Sequence, residues 1–232
     1  MDNFTGLNSE LAETQIDNFA RETLKLFGDY NAATNFFIYY LGVNWSSPKA
    51  IDFYNKYGPK MWAIRENFDI LRSKIAIDAV NAFNDMASAN DISIIEIPFS
   101  VNPNVGEYVD ESDYTPSEYF DFNPLREIVS NPYKESNDGK VGMNIEKVKV
   151  IYEIFQEKMK TFISALSNIS TDFALYDPDG SIQASYKSRI NKMVETISDT
   201  VTEMYKEIDS ALETEQNIII TAVQQANDML RG

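Results

Sequence analysis

The chain contains no cysteine and no histidine. Without thiols there are no disulfides, no zinc–thiolate sites and no cysteine nucleophile. Without imidazole the commonest general base and the commonest metal ligand are missing. A Ser-His-Asp triad, a His-containing metalloprotease helix and a Glu-x-x-His di-iron bundle are therefore excluded. Long hydrophobic runs are absent as well. The longest, Phe36 to Val43, is far short of the ~20 residues that span a bilayer. Met1-Asp2-Asn3-Phe4 carries neither the basic region nor the apolar stretch of a cleavable signal. The expectation is a soluble protein that does not follow the general secretory route. Basic residues are scarce, with 20 Lys and Arg against 36 Asp and Glu. The net charge of −16 and pI near 4.4 disfavour nucleic acid and anionic membrane surfaces as partners.

What is present is ample material for a core. Of the 232 residues, 44% are hydrophobic and 12% aromatic, which excludes global disorder and allows one elongated domain or two small ones. Half of the net charge sits in residues 91–143, where eleven acids face three bases. A solvated surface loop is the ordinary reading of such a stretch.

Helical periodicity dominates the rest. Ile16, Phe19, Thr23, Leu26, Tyr30, Ala33, Phe37 and Tyr40 form one stripe with steps of three and four, predicting a helix from Asn8 or Ser9 to Leu41. Ser9 is a candidate N-cap and Gly42 a candidate stop. Ser46-Ser47-Pro48 opens a second helix, which Gly58-Pro59 should kink or break and which ends near Ala89. The run from Ile92 to Val101 reads as β-like, and five prolines lie between Pro98 and Pro132. A connection of ~50 residues exceeds the usual bundle loop, so 91–143 is either an insertion with a role or a loop packed along the helices. A third helix is expected from Ile145 through Phe173. Asp177-Pro178-Asp179-Gly180 then opens a fourth that continues through Ile218, Ala222 and Met229. The expected fold is all-α, an elongated antiparallel four-helix bundle of two helical hairpins with a long acidic loop between them. Its parts are a first hairpin (1–90), an acidic connector (91–143) and a second hairpin (144–232).

The two hairpins correspond under a shift of 133 residues. Ile64, Phe68, Leu71 and Ile75 fall on Ile197, Val201, Met204 and Ile208, while Phe19, Leu26 and Ala33 fall on Tyr152, Met159 and Leu166. Agreement on both sides of two turns points to an internal duplication, making the helical hairpin the unit of function.

Candidate chemistry is thin. Asp177-x-Asp179-Gly180 could open a calcium loop, but position twelve is Ser188 where an acidic ligand is needed, so a turn is the better reading. Carboxylates are plentiful without a partner nucleophile or a glycine-rich anion loop. No catalytic residue, metal site or cofactor is expected, and the chain is read as non-enzymatic.

The first turn, Trp45-Ser46-Ser47-Pro48-Lys49-Ala50-Ile51-Asp52-Phe53, resembles that of the WXG-type helical hairpins, the small substrates of type VII secretion. That family carries a Trp-x-Gly turn, then small residues and an aromatic at the start of the second helix. Here Ser47 stands at the glycine place, followed by Ala50 and Phe53. The second unit has Gly180 at the glycine place and Tyr186 at the aromatic place, with Pro178 where tryptophan would be. Type VII substrates also show Tyr-x-x-x-Asp/Glu after the hairpin, and Tyr205 and Asp209 fit that export motif. The resemblance implies a degenerate tandem duplication acting through helix-face contacts with protein partners, itself or the secretion machinery included. It also implies a secreted or cell-surface location without a cleavable signal. On residues alone, any helical hairpin could use an aromatic plug at its turn, and Asp209 reads equally as a solvated acid beside a core-flanking Tyr205. A structural or scaffolding protein, such as a virion or filament component, is the alternative function, with a cytoplasmic or virion location. A pore-forming toxin with 92–101 as a membrane tongue is a third reading, weakened by the lack of flanking basic residues.

Overall fold

The computed structural model describes residues 7–114 and 142–231. Helix occupies 78% of these residues. Among them are four α-helices: α1 (Ser9–Asn44), α2 (Pro48–Ala89), α3 (Ile145–Ser167) and α4 (Ser181–Arg231). A single 3-10 turn (Glu111–Asp113) and two paired two-residue strands, β1 (Trp45–Ser46) and β2 (Gly142–Met143), complete the described elements. None of the four helices is long and apolar enough to cross a membrane. Residues 115–141, which belong to the expected acidic connector, lie outside the described part.

The helix ends follow their capping residues. Asn8 rather than Ser9 caps α1, its Oδ1 accepting from the Leu11 N–H. Ser47 caps α2 through an Oγ acceptor for the Ala50 N–H, with Pro48 at the first helical position as its fixed φ favours. The close of α2 is a Schellman-type reversal. The Ile92 N–H donates to the Ala87 carbonyl at 2.9 Å, and Asp91 takes the left-handed conformation (φ 54°) usually given to glycine. Asp177 opens α4, its carboxylate accepting from the Ile182 and Gln183 N–H groups. Gly180 supplies the positive φ (71°) of that turn.

Several expectations are corrected. Gly42 does not stop α1, which runs on to Asn44; Leu41 and Gly42 are buried and the packing carries the helix past it. Pro59 lies inside α2 without ending it. The ~3 kcal/mol that an interior proline costs is outweighed by burial of Tyr57, Met61, Trp62 and Ile64 on either side. The run 92–101 forms no strand. The third helix stops at Ser167, short of Phe173. Lys187 Nζ donates to the Ser167 carbonyl at 2.7 Å and to that of Ile169 at 3.3 Å, satisfying chain that has left the helix. Tyr40 is exposed, whereas Phe37, Ile38 and Leu41 beside it are buried.

The chain divides into two compact units, each built from segments of all four helices. The first comprises Met1–Asn31, Ile64–Val109 and Thr161–Ile197. Its core includes Phe19 edge-on to Phe173, and Phe68 in contact with both Phe27 and Phe162. Residues 91–109 run back along α2 in this unit. Asn84 and Asn67 each clamp one backbone position, Ile95 and Val109 respectively, by donating to its carbonyl and accepting from its N–H. Between them Arg72, buried and paired with Asp69, donates to the Ser100 carbonyl at 2.9 Å.

The second unit comprises Ala32–Ala63, Asp110–Lys160 and Ser198–Gly232. Phe37 of α1 stacks on Phe155 of α3 and meets Phe53 of α2 edge-on; Tyr205 of α4 closes on Phe155. Along α2 and α4, Lys49 pairs with Thr214, Lys56 with Glu207 and Lys60 with Glu203. The partners fall in opposite order, so these segments are antiparallel.

Candidate functional site

The Trp45 turn is a three-residue link between α1 and α2, and every part of it is anchored within the second unit. Trp45 is 2% exposed. Its ring centroid lies 5.6 Å from that of Phe53, one helical turn into α2, and Phe53 in turn lies 4.8 Å from Tyr57. Ala50 is buried at the start of α2, where a larger side chain would have to displace packed neighbours. The half-buried Ser47 supplies the cap already described. At this turn Trp45 and Phe53 are in ring contact and Ala50 is buried.

One feature of the turn had no sequence signal. Trp45 and Ser46 pair antiparallel with Met143 and Gly142, in the register Trp45–Met143 and Ser46–Gly142. The Asn144 N–H donates to the Asn44 carbonyl at 2.8 Å, and Asn144 Oδ1 accepts from the Lys147 N–H to cap α3. The exit of α1 and the entry of α3 are thereby fastened together at the turn. The indole Nε1 is buried without a hydrogen-bond partner among the described residues, a state that costs free energy wherever it occurs.

Beside the indole is a cleft of about 250 Å³ lined by Trp45, Lys49, Asp52, Phe53, Lys56, Glu207, Ser210 and Ala211. Lys56 Nζ donates to Glu207 Oε1 at 2.6 Å across it, and this contact holds the ammonium above its usual pKa. Among the described residues no group of three acidic side chains is placed to hold a metal ion.

The second turn differs from the first. It takes thirteen residues, 168–180, between α3 and α4, and belongs to the first unit. Tyr186 is buried and lies 5.8 Å from Phe173. Burial, with the nearby Asp78 carboxylate, pushes its phenol up to about 12. The Ala174 N–H donates to Gln15 Oε1, and Gln183 Nε2 donates to the Phe173 carbonyl, fixing the link to two helices.

Tyr205 and Asp209 meet at a third residue. The Tyr205 ring lies edge-on to Tyr152 at 5.2 Å, and its hydroxyl is buried without a partner among the described residues. The Tyr152 hydroxyl donates to Asp209 Oδ2 at 3.2 Å. Burial first, then the Asp209 charge, raises the Tyr152 phenol to about 12. Tyr205 is thus turned toward α3, while the Asp209 carboxylate remains exposed.

Comparison of the chain with protein-family models, with curated proteins and with solved structures found no match.

Proposed function

We propose that this chain is a non-enzymatic helical-hairpin protein of the type VII secretion kind, a substrate or helper exported folded and acting through its helix faces. In this reading the hairpins 1–90 and 144–232 pair within one chain as an antiparallel four-helix bundle, and the acidic connector 91–143 joins them. Its location is extracellular or at the cell surface.

The observation that carries the reading is the Trp45 turn. A buried indole packed on Phe53, with a buried Ala50 at the start of α2 and Ser47 capping that helix, gives a physical role to these residues of the motif. The indole fills the open end of a helix pair, and the small residue lets the chain reverse closely. Asp209 adds support, because it stays exposed one turn from Tyr205 and is accessible to a docking protein.

Export is tested in the producing cell. Removing the type VII ATPase should leave the folded chain inside and abolish its appearance in the medium. Asp209→Ala should reduce release without loss of the folded protein. Undiminished release without the ATPase would overturn the proposal.

A further inference from the structure

The last buried residue of α4 is Leu212, yet the helix continues to Arg231. Every position from 217 to 230 is exposed. Ile218, Ile219, Ile220 and Val223 are 51–56% exposed, and Met229 and Leu230 79% and 85%. The helix continues through Ile218, Ala222 and Met229 as expected, but no described residue buries these three side chains. β-Branched residues are weak helix formers, and a helix of this length is marginal on its own. Propensity therefore does not account for this segment.

Two further observations narrow what can cover it. Positions 219, 223, 226 and 230 alternate by four and three, the spacing of a helix-pairing seam. No charged residue lies between Glu215 and Asp228, in a chain of net charge −16. A matching partner must present an uncharged seam of the same spacing. A lipid surface fits poorly, because 213–231 holds Glu213, Glu215 and Asp228 against the single basic residue Arg231.

We propose that residues 216–230 of α4 pair with the same segment of a second copy of this chain. At this stretch two strongly acidic chains can approach without opposing charges. A fifteen-residue helix is ~22 Å long, and its face buries less than the ~800 Å² per partner of a stable interface. The pairing is therefore weak and reversible. Screening of the repulsion between the two copies strengthens it, since the Debye length falls from ~10 Å at 0.1 M salt to ~3 Å at 1 M. This inference stands independently of the export reading.

The test is sedimentation equilibrium of the full chain from micromolar to millimolar concentration, at low and high sodium chloride. The expected result is a monomer that becomes a dimer with concentration, with the midpoint moving to lower concentration in high salt. Ile219→Glu with Val223→Glu should remain monomeric throughout with unchanged thermal melting, since both side chains are exposed. Because the chain has no cysteine, Ala226→Cys should give a disulfide-linked dimer under mild oxidation, and the α1 control Glu22→Cys should not. A monomer at all concentrations overturns the proposal, as does a dimer that weakens with salt or persists in the double variant. Binding of the monomer to phosphatidylcholine vesicles through the same residues would also overturn it.

Discussion

The Asn84 side chain holds the Ile95 backbone at both ends, accepting from its N–H at 2.8 Å and donating to its carbonyl at 2.9 Å. A single carboxamide thus replaces the partner strand that an extended segment would otherwise need. Removing it leaves two backbone groups with only water, at a cost of about 1–3 kcal/mol. Asn84→Ala should therefore lower stability by that amount in urea. It should also speed limited proteolysis within 91–109. Asn67→Ala, which frees Val109, should act in the same direction.

Trp45→Ala empties a buried ring site against Phe53 and should cost about 3–5 kcal/mol, as large-to-small core changes do. Trp45→Phe should cost clearly less. It keeps an aromatic surface on Phe53 and removes an indole N–H that has no partner among the described residues. Equilibrium denaturation of the two variants, read by circular dichroism, distinguishes them. Equal losses would show that the whole indole shape is required.

The two phenols on α3 and α4 give a signed pH dependence. Burial raises both Tyr152, to about 12, and Tyr205 above their ordinary value near 10. A raised pKa means that the folded state holds its proton when the unfolded state has released it. The contribution is complete below pH 10 and is lost as pH rises from about 10 to about 12. The melting temperature should fall across that window, with tyrosinate absorbance appearing together with unfolding. Tyr205→Phe removes a buried hydroxyl without a partner among the described residues and should leave stability unchanged or higher. Tyr152→Phe should lower it through loss of the Asp209 bond.

Gly58 and Pro59 sit in the interior of α2. A Cβ added at Gly58 meets nothing within 4 Å, so Gly58→Ala should stabilise by about 0.5–1 kcal/mol. Pro59→Ala restores a backbone donor and should add up to about 3 kcal/mol. Thermal unfolding of each variant checks this. Destabilisation by Pro59→Ala would show that the ring itself packs usefully.

Much of the helical structure was legible from local chemistry. The Ser47-Pro48 start, the Asp177 to Gly180 opening of α4 and the buried stripe Tyr152, Phe155, Met159 and Phe162 depend on residues within a turn or two of one another. Periodicity and capping report such short-range geometry directly. The Trp45–Phe53 contact is short-range in the same way, because Phe53 lies one helical turn into the next helix. What tertiary structure decided rests on residues far apart in sequence. Pro59 stays helical because burial on both sides outweighs its local cost. The third helix stops at Ser167 because Lys187 of another helix satisfies the departing carbonyls. The Ile92 to Val101 run has the composition of a strand and, among the described residues, no strand beside it, and Asn84 and Arg72 supply partners instead. The Trp45 turn is tied to Met143, almost a hundred residues on, by backbone hydrogen bonds that any side chains could make. A sequence records side-chain pattern over a few residues, whereas these pairings are set by where the packed helices bring backbone groups together.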